Sequence, residues 1–181
     1  MATPFRPAVA LLQQYAEYHR DRRNIVTHLI GVPLVVFAVG LLLARPAIAV
    51  GGLALTPGWL VFALVALWYV TRGHLGLGAV TALGVGLLVG LGHRLGGGTA
   101  GQWLAWAAAC LVTGSAVQLV GHYYEGRKPA CADDPAGLLV GPMFVALELL
   151  APLGLFKGLM AAVERHAGPT VLRDLAHPAT H

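Results

Sequence analysis

The distribution of charged residues divides the chain into long apolar stretches. Between Arg23 and Glu125 the sequence carries only three charges, Arg45, Arg72 and Arg94, which separate apolar stretches of 21, 26, 21 and 30 residues. A transmembrane helix needs about 20 predominantly apolar residues, because each residue advances the helix by about 1.5 Å. Each stretch is therefore long enough to cross a bilayer, and the pattern is typical of an integral membrane protein.

This pattern predicts an all-α membrane bundle of four transmembrane helices, which we expect over residues 25–44, 53–70, 75–92 and 102–124. A short amphipathic helix over residues 7–19 precedes the first of them. A shorter apolar segment, residues 138–156, follows the fourth and contains Pro142, Glu148 and Pro152. We interpret it as a re-entrant or interfacial hairpin, with a fifth crossing as the alternative. Residues 1–165 then form one membrane-embedded domain, and residues 166–181 form a polar C-terminal tail.

Composition supports a membrane protein and argues against a nucleic-acid-binding one. Of the 181 residues 57% are hydrophobic and 11% are charged, whereas about a quarter of a soluble domain is charged. The basic residues behind the net charge of +4 lie at the ends of the predicted spans. The cluster of Arg20, Arg22 and Arg23 places the N-terminal end in the cytoplasm by the positive-inside rule. A composition rich in Ala, Gly, Leu and Arg indicates a bacterial inner membrane, and nothing in it indicates an oligomeric state.

The first candidate motif places two histidines around the start of the first span. Tyr18 and His19 are followed by Asn24 and then by His28, nine residues after His19. On a continuous helix that spacing turns the two imidazoles about 180° apart, so they can share an ion only if the helix breaks between them. The residues from Asp21 to Asn24 favour such a break. Alternatively, His28 only caps the span.

The second motif lies at the end of the fourth span, on the same predicted membrane surface. Gln118, His122 and Glu125 lie on one helical face. His122 is either a metal ligand or one more interfacial aromatic residue. Glu125 is a ligand, a partner that orients His122, or an ion-pair partner of Arg127, and we favour the orienting role. A cluster of imidazoles suits Fe(II), Zn or Cu.

Other polar residues are candidates for secondary roles. Arg127 and Lys128 either hold an anionic head group or simply anchor the fourth span. His74 begins the third span and His93 ends it, so a helix rise of about 1.5 Å separates them by roughly 28 Å. The four-span topology therefore argues against His93 as a co-ligand of His122.

Three blocks of sequence resemble one membrane family. The first consists of Tyr18-His19, Asn24 and His28, followed by Gly31-Val32-Pro33. The second consists of Gln118, Gly121-His122, Glu125-Gly126 and Lys128-Pro129-Ala130. The third consists of Gly141-Pro142 and Phe144. In this order they are similar to the family of the fungal 2-hydroxy fatty acid dioxygenase of phytosphingosine breakdown. The match covers most of the chain except its ends.

The resemblance implies an Fe(II)-dependent, 2-oxoglutarate-independent α-oxidation, in which a 2-hydroxy fatty acid and O₂ give a fatty acid one carbon shorter. It assigns the metal to His19, His28 and His122, with His93 at the position of a further family histidine. Substrate binding then falls to Arg127, Lys128, Asn24 and Tyr18, and Glu125 joins the three histidines in the catalytic set. The fourth ligand is His93, His74 or Glu125.

Two other classes of function remain as alternatives. The same histidines with Zn would suit a membrane hydrolase or another lipid-modifying enzyme. A small transporter or a haem carrier is the non-enzymatic alternative. A haem carrier would need histidines facing each other in the middle of the membrane, and a transporter would show mid-span ionisable residues or an inverted repeat.

Overall fold

The computed structural model describes residues 5–51 and 53–174, which are mainly helical. The α-helices of this part of the chain are α1 (Ala8–Ala16), α2 (Arg22–Leu42), α3 (Pro57–Val70), α4 (Leu75–Leu95), α5 (Ala100–Glu125), α6 (Gly137–Leu150) and α7 (Lys157–Ala167). A two-stranded antiparallel hairpin, β1 (Ile48–Val50) and β2 (Leu53–Leu55), precedes α3, and one 3-10 turn (Ala130–Ala132) precedes α6. Apart from that hairpin, the predicted helical class is confirmed.

Three helices are long and apolar enough to cross a membrane, namely α2 and α4 with 21 residues each and α5 with 26. At about 1.5 Å per residue they extend about 30 Å or more, which is the thickness of a bilayer's hydrocarbon core. They correspond to the first, third and fourth predicted spans. The second is shorter than predicted, because α3 has 14 residues and the residues before it form β2.

The end of α2 lies against the beginnings of α3 and α5. The indole Nε1 of Trp103 donates to the carbonyl of Leu41 at 2.7 Å, and the backbone N–H of Gly58 donates to the carbonyl of Leu43 at 2.9 Å. We call this end of the bundle the distal end. Because α3 and α5 both begin where α2 ends, they run in the opposite direction to α2.

The other end, which we call the proximal end, is covered by α1 and α7. The backbone N–H of Ala8 in α1 donates at 2.8 Å to the carbonyl of Arg72, which follows α3. Gln13 of α1 donates its Nε2 to the carbonyl of Ala162 in α7 at 3.1 Å. The predicted N-terminal helix is therefore present, and α1 packs its apolar face on the protein interior.

Glycines bring the backbones of α2 and α5 into contact along much of their length. A Cβ atom at Gly31 would lie 2.7 Å from the carbonyl oxygen of Gly114, and one at Gly114 would lie 2.9 Å from that of Gly31. Nearer the proximal end, a Cβ at Gly121 would overlap the side chains of Thr27 and Asn24. Small residues allow such close approach of helices in lipid. This glycine seam fixes α5 relative to the start of α2.

The C-terminal part of the described chain belongs to the same packed unit. Helix α6 packs on α1, α2 and α4, and the phenol of Tyr69 donates to the carbonyl of Leu139 at 3.0 Å. Residues 168–174 continue beyond α7 without regular helix or strand. The division into a domain over 1–165 and a tail over 166–181 stays a prediction, and residues 175–181 lie outside the described part of the chain.

Candidate metal centre

Three histidines that are far apart in the sequence meet inside the proximal end. His19 lies in the turn between α1 and α2, His28 lies on α2, and His122 lies in the last turn of α5. One ring nitrogen from each lies within 4.8 Å of the others. Their exposed fractions are 0%, 2% and 6%, so all three are buried. Burying three polar imidazoles together costs free energy unless their nitrogens bind a common partner.

The helix break that this meeting requires is present, but it covers residues 17–21 and so lies a few residues before the predicted Asp21–Asn24, because Asp21 caps α2 and the residues after it are helical. Helix α1 ends at Ala16, and α2 begins after Asp21. The Asp21 carboxylate caps α2 by accepting from the backbone N–H of Arg23 at 2.8 Å. Because the chain turns here, the imidazoles of His19 and His28 approach each other instead of projecting from opposite sides of one helix.

Hydrogen bonds to backbone carbonyls orient the rings of His19 and His28. Nδ1 of His19 lies 2.8 Å from the carbonyl oxygen of Tyr15, and Nδ1 of His28 lies 3.0 Å from that of Asn24. A carbonyl oxygen only accepts, so each Nδ1 carries the proton and each Nε2 keeps its lone pair. Burial and the neighbouring His28 lower the pKa of His19 well below its ordinary value, so its ring is neutral at pH 7.

The resulting donor set fits a metal ion. The two Nε2 atoms face each other at 3.1 Å, a distance at which two lone pairs repel unless a cation lies between them. Histidine nitrogens bind metals such as Zn²⁺ at about 2.0–2.1 Å, so two nitrogens at this separation can share one ion. Nδ1 of His122 is buried and has no hydrogen-bond partner among the described residues. Three neutral imidazoles leave coordination positions free for other ligands.

Aromatic rings close one side of the cluster. Tyr15 stacks on His19 with ring centroids 4.1 Å apart and planes 8° from parallel, and Phe144 of α6 lies 5.5 Å from the same ring. Both side chains are buried. They keep water away from His19 and leave access to the cluster from the side of His28 and His122.

Glu125 holds the turn that carries His19. Its Oε2 accepts from the backbone N–H groups of Arg20 at 3.0 Å and Asp21 at 2.8 Å, and from Nδ2 of Asn24 at 3.1 Å. No bond to His122 is observed in the described structure, and Arg127 instead donates Nη1 to the carbonyl of Glu17 at 3.0 Å. Glu125 is fully buried, and it acts on the position of His19 rather than on that of His122.

The segment after α7 completes this arrangement. Val171 pairs in parallel with Asp21, since its N–H donates to the carbonyl of Arg20 and its carbonyl accepts from Arg22. Arg173 then reaches Oε1 of Glu125 through Nε at 3.0 Å and Nη2 at 2.7 Å. We call residues 168–174 the C-terminal strap, because they lie across the turn that contains His19.

Asp21 links the strap to the helix start and stays ionised. Its carboxylate accepts from the guanidinium of Arg23 and from the backbone N–H of Arg173 at 2.8 Å. Burial alone would raise the pKa of Asp21, but the bonds from Arg23 and Arg173 outweigh it and lower the pKa to about 2. Asp21 therefore connects the start of α2, through Arg23, to the C-terminal strap, through Arg173.

Two predicted candidates for the fourth ligand lie outside the cluster. Nε2 of His93 is 2.6 Å from Oγ1 of Thr56, the N-cap of α3, which places His93 at the distal end. His74 caps α4 by accepting from the N–H of Leu77 at 3.2 Å, and its ring packs on Phe156. The structure does not bring either histidine to the other three.

The predicted substrate-binding residues have protein partners. Asn24 donates to the carbonyl of Tyr18 at 2.9 Å as well as to Glu125, so it joins α2 to the His19 turn. The phenol of Tyr18 donates to Asp133 at 2.9 Å, and Nζ of Lys128 lies 2.6 Å from the same carboxylate. These contacts raise the pKa of Tyr18 and lower that of Asp133.

An apolar cavity of about 240 Å³ reaches the cluster from between α2, α5 and α6. His28 and His122 form one end of it, and Tyr15 and Gln118 lie beside them. Sequence reasoning did not find Tyr15, although its place four residues before His19 is the spacing of neighbours on one helical face. It also did not find Arg173, which lies in a segment without any hydrophobic pattern.

The fold and the buried histidines together define a helical membrane protein with a candidate three-histidine metal centre. A family model described as 2-hydroxy-palmitic acid dioxygenase Mpo1-like matches residues 5–153. The chain belongs to this Mpo1-like family, and the resemblance seen in the sequence is confirmed. No curated protein and no solved structure matches the chain.

Proposed function

We propose that this protein is an Fe(II)-dependent dioxygenase that shortens 2-hydroxy fatty acids by one carbon. The observation that carries the proposal is the convergence of three buried histidine nitrogens from α2, α5 and the turn before α2. The family description names a 2-hydroxy-palmitic acid dioxygenase, which supplies the substrate class. Imidazole ligands suit Fe(II), and three of them leave room for further ligands.

The reaction balances without a further organic cofactor. A 2-hydroxy fatty acid and O₂ give the fatty acid with one carbon fewer, together with CO₂ and water. The bond between the carboxyl carbon and C2 breaks, C2 is oxidised to the new carboxyl group, and O₂ is reduced. When bound, Fe(II) supplies the redox chemistry that O₂ requires and a Lewis acid for the 2-hydroxycarboxylate.

The chain's own residues hold and enclose the reacting groups. His19, His28 and His122 are the ligands in this proposal, which omits His93 and His74. Glu125 acts as a positioning residue, and so does Asn24. The cavity beside His28 and His122 receives an apolar substrate. Arg127 is the candidate partner for the substrate carboxylate, because a guanidinium can donate to both carboxylate oxygens.

We also propose that the chain crosses the membrane four times, with α3 as the second crossing. α3 connects the distal end, where Gly58 bonds to Leu43, with the proximal end, where Arg72 accepts from Ala8. Its surface toward lipid is apolar, since Leu60 and Leu64 are exposed. Helix α6 belongs to the apolar segment that follows α5. It fits a re-entrant element, because Phe156, just beyond its end, packs on His74 at the proximal end.

In this topology the proximal end faces the cytoplasm. Arg20, Arg22, Arg23 and Arg72 all lie there, and positive residues favour the cytoplasmic side. The metal centre would therefore open to the cytoplasmic half of a bacterial inner membrane. This placement suits a substrate whose acyl chain lies in the bilayer and whose carboxylate lies at its surface.

The direct test is turnover by purified protein with a defined metal. Protein loaded with Fe(II) under argon is mixed with 2-hydroxypalmitate and O₂, and the fatty acids are followed by mass spectrometry. The proposal predicts pentadecanoate from the wild type and none from His122→Ala. Equal conversion by the variant, or intact substrate with iron fully bound, would contradict the proposal. Hydrolysis of a lipid ester by the zinc-loaded protein alone would favour the hydrolase alternative.

A further inference from the structure

A second apolar cavity lies next to the one that reaches the histidines. It has a volume of about 250 Å³ and lies between α2, α4 and α6. Thr81 is the only side chain with a hydroxyl among its lining residues, and its Oγ1 donates to the carbonyl of Leu77 at 2.8 Å. The second cavity therefore directs no unpaired polar side chain inward. A ligand that fits it is a hydrocarbon.

The two cavities share a wall. Val32 and Val36, one helical turn apart on α2, line both of them. On α6, Gly137 and Gly141 line the first cavity, and Pro142 and later residues line the second. The two cavities therefore follow one another along α6. Val32 and Val36 are therefore the side chains that separate the two cavities.

Their sizes indicate that a lipid chain needs both. Sites for drug-sized ligands have volumes of about 300–1,000 Å³. The volumes of about 240 Å³ and 250 Å³ each fall below that range, whereas the two together fall within it. A long acyl chain with its carboxyl end at the metal centre would therefore extend beyond the first cavity.

The first cavity also opens toward lipid between α5 and α6. Leu119 of α5 and Leu138 of α6 line it, and their exposed fractions are 59% and 68%. Both helices pack on α2, and large exposed apolar residues on membrane helices face lipid. This opening offers a path by which an acyl chain can enter sideways from the bilayer.

From these observations we infer that the two cavities form one acyl-chain site, with Val32 and Val36 as the partition that sets the accepted chain length. The inference rests on the proposed function for its head-group end, where the substrate carboxylate meets the metal centre. Lipid tails are as apolar as the cavity walls, so moving a chain from bilayer to cavity gains little hydrophobic free energy. Selection of the acyl chain by its length therefore depends on the shape of the site, and that shape changes at Val32 and Val36.

The test maps the far end of a bound chain without requiring turnover. Protein in nanodiscs, loaded with Fe(II) under argon so that no O₂ is present for turnover, is photolabelled with 2-hydroxypalmitate carrying a diazirine at its methyl end, and labelled residues are located by mass spectrometry. On α4, Thr81 and Val85 face the second cavity, whereas Leu83 and Leu87 are exposed to lipid. We expect labelling of Thr81 and Val85 in the wild type. Labelling confined to Leu83 and Leu87 overturns the inference.

Variants of the partition make the test specific. Val36→Phe narrows the passage, and we expect at least about a tenfold loss of label at Thr81 and Val85, the discrimination that one misfitting group can give. Leu87→Phe, which places the same aromatic ring on the lipid side of α4, serves as the control and keeps the label. Equal labelling of the two variants would overturn the inference. Val36→Ala enlarges the passage and is expected to increase the label. A gain of label could not result from misfolding, so this variant complements Val36→Phe.

Turnover separates this inference from the proposed function. In active protein, Val36→Ala should shift the preferred substrate from 2-hydroxypalmitate toward 2-hydroxystearate, and Val36→Phe should shift it toward 2-hydroxylaurate. An unchanged length profile in both variants would overturn the acyl-chain site and leave the oxygenase intact. Absence of turnover, with the expected labelling pattern, would support the acyl-chain site and remove the oxygenase reaction.

Discussion

Arg173 and Glu125 form an ion pair with 2.7 Å between Nη2 and Oε1, although 48 residues separate them in the chain. The carboxylate is fully buried, and its other oxygen accepts from the backbone N–H groups of Arg20 and Asp21, the two residues that follow His19. The pair therefore connects a strap after the last helix to the turn that places a candidate ligand. Arg173 lies beyond residues 5–153, the part that matches the family model.

Replacement of Glu125 should weaken metal binding without touching a ligand. Glu125→Gln exchanges an acceptor for an amide whose NH₂ group faces other donors, so the His19 turn loses its support. We expect metal affinity to fall by about 10–100-fold, as for other residues that orient ligands. Arg173→Ala should have a smaller effect, because Glu125 keeps its bonds from Arg20, Asp21 and Asn24. Competition with a chromogenic chelator measures both.

The control for this prediction is Arg165→Ala, which removes an exposed cation from α7 and should leave affinity unchanged. If Glu125→Gln bound metal as tightly as this control, Glu125 would have no positioning role. The same result for Arg173→Ala alone would show that the strap does not act through the ion pair.

The glycine seam between α2 and α5 should be needed for the metal centre. A methyl group at Gly121 would overlap Thr27 and Asn24, which would separate the helices that carry His28 and His122. We expect Gly121→Ala to lower both the metal affinity and the free energy of unfolding, the latter by about 1–3 kcal/mol. Thermal unfolding in detergent and metal titration give the two quantities.

Gly101 offers a matched control in the same helix, because a Cβ there would meet nothing within 4 Å. Gly101→Ala should change stability by less than about 0.5 kcal/mol, because the position is exposed and lies in the first turn of α5. Equal effects of the two substitutions would mean that the seam does not determine the position of α5.

The carboxyl of Asp21 should titrate at about pH 2, well below its ordinary range. A lowered pKa means that folding favours the ionised form, so the stabilisation is present above the unfolded value of about 3.9 and is lost as the pH falls through 2. Carboxyl ¹³C NMR in micelles measures the midpoint. Arg23→Met should raise it, and Arg22→Met, which removes a neighbouring cation without a bond to Asp21, should change it less. Titration of the wild type near 3.9 would contradict the structure.

Arg127 should contribute more to substrate binding than Lys128. The ammonium of Lys128 is 64% exposed and already paired with the Asp133 carboxylate, whereas Arg127 donates to the neutral carbonyl of Glu17 and packs over the ring of Tyr18. A hydrogen bond to a charged group contributes about 1.5–3 kcal/mol, so Arg127→Met should raise KM for 2-hydroxypalmitate by roughly 10–100-fold with little change in kcat. Steady-state oxygen consumption measures both constants. A larger effect of Lys128→Met would reverse the assignment.

The sequence predicts those parts of the site that depend on one helix or one turn. The nine-residue spacing of His19 and His28 requires a break between them, and the capping preference of Asp21 locates it. His122 and Glu125 lie on one face of α5 because they are three residues apart. In each case the residue types and their spacing contain the physical cause.

The sequence does not predict contacts between distant segments. The first N–H groups of a helix need acceptors, but no pattern shows that Glu125 supplies one for the start of α2. Arg173 lies in a short polar stretch without periodicity, so only the folded chain reveals it. His93 is a different case. The family resemblance assigns it to the metal, but the alternating directions of the helices place it at the distal end with Thr56.

The three-histidine centre is tested most directly by the iron content and ligation of three purified proteins. Wild type, His28→Ala and His93→Ala are loaded with Fe(II) anaerobically and compared by elemental analysis and iron K-edge X-ray absorption. We expect one iron with three imidazole ligands in the wild type and in His93→Ala, and loss of that iron in His28→Ala. Full iron with unchanged ligation in His28→Ala, or its loss in His93→Ala, would contradict the three-histidine centre.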